Sequence, residues 1–189
     1  MYTFFKRFLD ITLVIIIIII IGWILLFIFL VYKSLYREPF FFIQNRLGKN
    51  KKSFKLIKIR TMKINTIEKP THKLLSKDVT KIGFFLRKLK VDEIPQIINV
   101  LKGDMSFVGP RPCLNIQKKL ISEREKFNIF SIKPGISGLA QINKVDMSNP
   151  EALVKYEYSY LKKRSFSFDL LIIFYTIIGK GTGDALKKN

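Results

Sequence analysis

Two adjacent carboxylates, Asp92 and Glu93, stand between a basic run and an apolar one: Arg87-Lys88-Leu89-Lys90-Val91-Asp92-Glu93-Ile94-Pro95-Gln96-Ile97-Ile98-Asn99-Val100-Leu101. Ile94, Ile97, Ile98 and Leu101 fall at i, i+3, i+4 and i+7, one face of a helix. Pro95 fits only its first turn, so the helix starts near Asp92 and carries both carboxylates at its positive end. Carboxylates there cap helices, and they also act as nucleophile, acid/base or metal ligand. A second reactive feature is Pro110-Arg111-Pro112. Each proline fixes its own φ and Pro112 holds Arg111 extended, so the guanidinium fork leaves a stiff backbone, which suits phosphate. Lys55, Lys58 and Arg60 alternate with apolar residues nearby in the chain and read equally as a solvated face or an anion site.

The elements that must carry these residues follow from the patterning. Residues 11–32 hold no charge. At about 1.5 Å per residue they make a helix of about 33 Å, enough to cross a bilayer core. A signal peptide would have a shorter apolar stretch and a small-residue cleavage site. Lys6 and Arg7 precede the run and a larger basic excess follows it, which places the C-terminal part in the cytoplasm. The helix either crosses or turns back at Gly22, its weakest point. Residues 40–43 and 54–60 read as two strands joined by a Gly48-centred turn. Residues 63–81 read as a loop. Residues 82–89 form an amphipathic helix, edged by basic residues, that suits either a membrane surface or packing. Gly103 ends the Asp92 helix. Further helices are expected over 114–127, 150–163 and 165–178, the last capped by Asp169 and too short to span a bilayer. Residues 179–189 read as a frayed tail. The fold class is α+β, mainly helical with a short β-hairpin, with an anchor over 1–37 and a membrane-associated catalytic domain over 38–189.

Composition narrows the partners. The chain has 189 residues, a formal charge of +20 and 48% hydrophobic residues; its pI is about 10.1 and its mean hydropathy +0.17. A basic protein this apolar points to anionic lipid and phosphorylated substrates over nucleic acid. One Cys and one His exclude an internal disulfide and a Cys/His zinc site. Cys113 reads as a small buried hydrophobe.

Taken together, Lys58-Ile59-Arg60-Thr61-Met62, the Arg87 to Gln96 stretch, Asn99-Val100-Leu101-Lys102-Gly103-Asp104-Met105-Ser106-Phe107-Val108-Gly109-Pro110-Arg111-Pro112 and Lys133-Pro134-Gly135-Ile136-Ser137-Gly138-Leu139-Ala140-Gln141-Ile142-Asn143 resemble the monotopic phosphoglycosyl transferases, the bacterial sugar transferase family. The resemblance implies transfer of a sugar-1-phosphate from a UDP-sugar to polyprenyl phosphate with release of UMP, the first step of lipid-linked glycan assembly, on the cytoplasmic face of the bacterial inner membrane. It implies Mg²⁺ as cofactor. It makes Asp92 the nucleophile and a metal contact, and Glu93 its acid/base or orienting partner. Lys58, Arg60, Arg87, Arg111 with Pro110 and Pro112, Gln141 and Asn143 would bind phosphate or nucleotide. Two departures stand out: Ile21-Gly22-Trp23 where the family breaks its membrane helix with Ser-Pro, and Lys144-Val145-Asp146 where Gly-Arg-Asn often follows. Two other functions compete with this one. The first is a membrane-tethered basic protein that binds nucleic acid or anionic lipid; the second is a family member that binds donor without turnover.

Overall fold

A computed structural model of the chain describes residues 2–63 and 78–180. The order is α1 (Tyr2–Leu35), β1 (Phe41–Leu47), β2 (Ser53–Ile59), α2 (Lys81–Lys88), a 3-10 turn (Val91–Gln96), α3 (Ile97–Lys102), β3 (Ser106–Val108), α4 (Lys118–Lys126), β4 (Gly135–Ser137), α5 (Leu139–Ile142), α6 (Pro150–Lys163) and α7 (Phe166–Ile177). The mainly helical α+β class with a hairpin is as the sequence predicts. Most of the expected 63–81 loop and most of the tail lie outside the described residues.

α1 is long and apolar enough to cross a bilayer, and it runs unbroken through Gly22. Its outward side chains include Phe4, Ile19, Ile20, Trp23 and Phe27. Yet both of its ends pack on the same folded body. Near its start, Arg7 donates to the carbonyls of Val100 and Leu101 at 2.6 and 2.7 Å. Asp10 accepts from Ser106 Oγ at 2.9 Å and Phe107 N at 3.0 Å. Val14 is buried with Leu56, Ile97, Val100 and Met105. Near its end, Tyr32 is buried with Phe40, Ile59 and Leu86. The sequence places the N-terminal charges as membrane flanks; the structure makes them contacts to the body.

β1 and β2 form the expected antiparallel hairpin, pairing Phe41 with Ile59 and Leu47 with Ser53. Lys49–Lys51 makes its turn, with Asn50 and Lys51 at positive φ. Asn99, on α3, covers the free edge of β2: its Oδ1 accepts from Ile57 N at 3.1 Å and its Nδ2 donates to Lys55 O at 2.7 Å. One wholly buried side chain thereby stands in for a neighbouring strand, and it satisfies backbone groups that burial would otherwise strand.

Several expected details are corrected. The Asp92 helix begins as a 3-10 turn entered through Lys90 in the left-handed region, and becomes α-helical only at Ile97. Pro95 supplies no N–H to an i−4 bond, so the tighter turn precedes it. The buried face of α3 is Ile97, Asn99 and Val100, and Leu101 is exposed. In α2 only Ile82 and Leu86 pack inward, while Phe84, Phe85 and Leu89 face out. α4 starts at Lys118, later than predicted. Residues 106–108 and 135–137, given no regular element by the sequence pattern, pair as parallel strands. Ser165, not Asp169, caps α7, its Oγ accepting from Phe168 N at 3.2 Å. Asp169 instead sits buried, accepting from Tyr160 and Lys6 at 2.7 Å and from Tyr2 at 2.8 Å. Gly103 does close α3, with φ 84°, and Cys113 is fully buried.

Candidate active site

Glu93 gathers charge from two other elements. Its Oε1 accepts from Lys58 Nζ of β2 at 3.0 Å and from Arg111 Nη2, on the loop after β3, at 2.6 Å. All three side chains are largely shielded from solvent, so the charges act on one another through a medium less screening than water. Asp92, one residue earlier in the same turn, is 3% exposed. Glu93 therefore faces fixed positive charge supplied from two other segments, with buried Asp92 beside it in the chain.

The Pro110-Arg111-Pro112 backbone is held at every carbonyl. Pro110 O accepts from Gly135 N at 2.9 Å. Arg111 O accepts from Arg124 Nη2 at 2.8 Å. Pro112 O accepts from Arg46 Nη1 at 3.1 Å, and Cys113 O from Leu47 N at 2.9 Å. Arg124 is in turn clamped by Glu157, Nε to Oε2 at 2.8 Å and Nη2 to Oε1 at 2.5 Å. Burial pushes the Glu157 carboxyl up, against the pull of Arg124. Burial works most strongly against the Arg124 charge, but the attraction and hydrogen bonds of Glu157 and Cys113 together outweigh it and raise the guanidinium. Parallel pairing of β3 with β4 requires Gly109 and Gly135 to meet backbone to backbone, closer than a Cβ would permit.

Arg87, at the end of α2, donates from Nε to Thr61 Oγ1 at 2.8 Å, while its Nη1 is buried with no hydrogen-bond partner among the described residues. Gly83 lets α2 lie directly on the Thr61 backbone, which sets where Arg87 emerges. Arg60 turns the other way, donating to Pro39 O at 3.0 Å and lying over the Phe42 ring. Gln141 donates to Ile136 O at 3.1 Å, and its Oε1 is buried without a described partner. Gln141 and Glu93 line one cavity of about 310 Å³. Asn143 folds back onto Leu139 O at 2.8 Å and is not among that cavity's lining residues.

Of the predicted residues, the structure thus joins Lys58, Arg111 and Glu93 directly, next to Asp92. Gln141 shares a cavity with Glu93, and Arg60 and Asn143 are engaged locally. The supporting residues Thr61, Asn99, Arg46, Arg124 and Glu157 were not predicted. Only the polar Asn99 on an otherwise apolar helix gave a sequence signal.

The chain belongs to the bacterial sugar transferase family, whose model matches residues 1–181. Among curated relatives, it is 39% identical over 175 residues to the uncharacterized sugar transferase EpsL of Bacillus subtilis, covering 91% of this chain and 85% of that protein. It is 34% identical to the UDP-N-acetylgalactosamine-undecaprenyl-phosphate N-acetylgalactosaminephosphotransferase of Aeromonas hydrophila, covering 93% of this chain and 43% of that one. It is 38% identical to the UDP-glucose:undecaprenyl-phosphate glucose-1-phosphate transferase of Escherichia coli, covering 91% and 39%. The chain therefore spans less than half the length of the last two.

Proposed function

We propose that the chain transfers a sugar-1-phosphate from a UDP-sugar to polyprenyl phosphate. The observation that carries this reading is the Glu93 carboxylate held between Lys58 and Arg111 beside buried Asp92. Bringing a carboxylate to a pyrophosphate sets anion against anion, and fixed cations offset that repulsion without reorganising. Two relatives are named for such a transfer to undecaprenyl phosphate, which supports the same chemistry here.

In the first half-reaction an Asp92 oxygen attacks the phosphorus that bears the sugar. The bond from that phosphorus to the bridging oxygen breaks, and UMP leaves. In the second, a phosphate oxygen of the acceptor attacks the same phosphorus, the bond to Asp92 breaks, and the carboxylate is restored. Glu93, fixed by its two cations, orients the nucleophile's turn. Arg87 Nη1 meets a donor phosphate, and a sugar hydroxyl or N–H donates to Gln141 Oε1, so each buried orphan gains a partner.

Among the described residues no three His, Cys, Asp or Glu side chains cluster as a metal site. Mg²⁺ fits this donor set, since it is commonly held by one or two carboxylates plus substrate phosphates, and Asp92 would hold it here. When bound, it neutralises charge on the transferring phosphates.

The apolar surfaces of α1, α2 and α7 support a site at a bilayer edge. Both ends of α1 touch one body, which supports an unbroken helix that lies along that body with its apolar side in the membrane, on the cytoplasmic face by the basic excess of the chain. The test uses membranes carrying the chain with UDP-sugars, Mg²⁺ and polyprenyl phosphate. UMP release that Asp92→Asn abolishes, with an acyl phosphate trapped at residue 92, is the expected result. Donor binding without UMP release would refute catalysis.

A further inference from the structure

One cavity opens between α1, α2, α5 and α7, and its walls are mostly hydrocarbon. Seven isoleucines line it, among them Ile17 and Ile21 from α1, Ile136 from β4 and Ile177 from α7. Glu93 and Lys90 belong to the same wall. Leu89 and Ile177 line it too while remaining 55% and 78% exposed, so the cavity is open to the outside between α2 and α7. Beside them lie the outward-facing Phe85, Phe174 and Ile178. A continuous apolar surface therefore runs from the exterior to Glu93.

We infer that this groove seats the first isoprenoid units of the lipid acceptor and delivers its phosphate to Glu93 and Lys90. The inference rests on the transfer reaction proposed above and adds where the acceptor's hydrocarbon lies. A UDP-sugar is polar along its length, with its charge on the diphosphate, and would leave its donors and acceptors unmatched against isoleucine; only its sugar reaches this cavity, at the end where Gln141 and Glu93 lie. A branched hydrocarbon has nothing to lose there. Passing from bilayer to groove exchanges one apolar medium for another, so the groove adds little affinity. Its effect is positional: it fixes the angle and depth at which the phosphate reaches the phosphorus on Asp92, which governs rate.

That distinction makes the two half-reactions separate readouts. Leu89→Trp and Ile177→Trp narrow the groove at partly exposed positions that the folded body tolerates. In full-length chain held in nanodiscs, single-turnover UMP release from the donor should stay within about twofold of the unsubstituted chain, because one RT is near a threefold change and no donor contact is altered. Transfer from the loaded enzyme to polyprenyl phosphate should slow by about tenfold or more, as expected for a small misplacement of the reacting group. The unsubstituted chain gives an independent check: farnesyl phosphate with a diazirine in its first isoprene unit should label Ile17, Ile21, Ile136 or Ile177. Unchanged transfer in both variants, loss of the donor step as well, or labelling confined to the outer face of α1 would overturn the groove while leaving the transfer reaction intact. Absence of UMP release from the unsubstituted chain would overturn both.

Discussion

Replacing Arg124 by Met tests how Arg111 is held. The side chains of Arg124 and Glu157 are only 2% and 3% exposed, so Arg124→Met strands a carboxylate in the core. Breaking such a pair costs about 3–5 kcal/mol. At about 2–4 °C per kcal/mol for a chain of this size, the melting temperature should fall by about 6–20 °C. Burial raises the Glu157 carboxyl, and without Arg124 nothing opposes that shift. A raised carboxyl contributes stability at low pH that is lost as pH climbs, so the deficit of Arg124→Met should shrink on acidification. Adding Glu157→Leu removes the stranded charge and should recover most of the melting temperature. It does not return the donor to Arg111 O, which the single variant also lacks. UMP release in the double variant should therefore stay depressed while its melting temperature recovers. Thermal melts in nanodiscs and a UMP assay on the same samples give both quantities. Recovery of release together with stability would show that Arg124 holds up the core without placing Arg111.

Two further outcomes follow from the same framework. Gly83→Ala drives a methyl group into the Thr61 backbone; it should cost about 1–3 kcal/mol and reduce UMP release, since Thr61 holds Arg87, and an unaltered rate would show that α2 does not set that arginine. Burial and the neighbouring Asp169 push the Tyr160 phenol well above its usual range. It stays protonated in the folded chain while the unfolded chain ionises from about pH 10, so its stabilisation is complete below that pH and declines above it, by up to about 1.4 kcal/mol per unit. Melting curves between pH 8 and 11 should therefore fall less steeply for Tyr160→Phe, and parallel curves would refute the assignment.

What the sequence made legible was local. The hairpin follows from alternation around a turn. α6 starts at Pro150, as the expected 150–163 helix has it, with Asn149 Oδ1 accepting from Ala152 N at 3.1 Å. The stiffness of Pro110-Arg111-Pro112 was readable from its prolines. What was illegible depends on partners far along the chain. β3 and β4 are three residues each, too short for a period, and their pairing joins residues 106 and 135. A lone Glu157 in an amphipathic helix reads as solvated, and Asp169 reads as a cap, until the cation each meets is known. Asp10 reads only as the border of the uncharged run; it is in fact an acceptor for the folded body. The class of the candidate site was visible in Asp92, Glu93, Lys58 and Arg111, whereas the frame that holds them was not.

The two-ended attachment of α1 bears on how this protein can be handled. A soluble fragment beginning after residue 37 would not be a catalytic domain minus its tether. It would lack Asp10, leaving Ser106 Oγ and Phe107 N without their acceptor at the base of the loop that carries Arg111. Removing Val14 and Tyr32 would also open two of the packed clusters to water. The long apolar helix is also masonry of the candidate site, so extraction has to take the whole chain, wrapped in detergent or nanodisc.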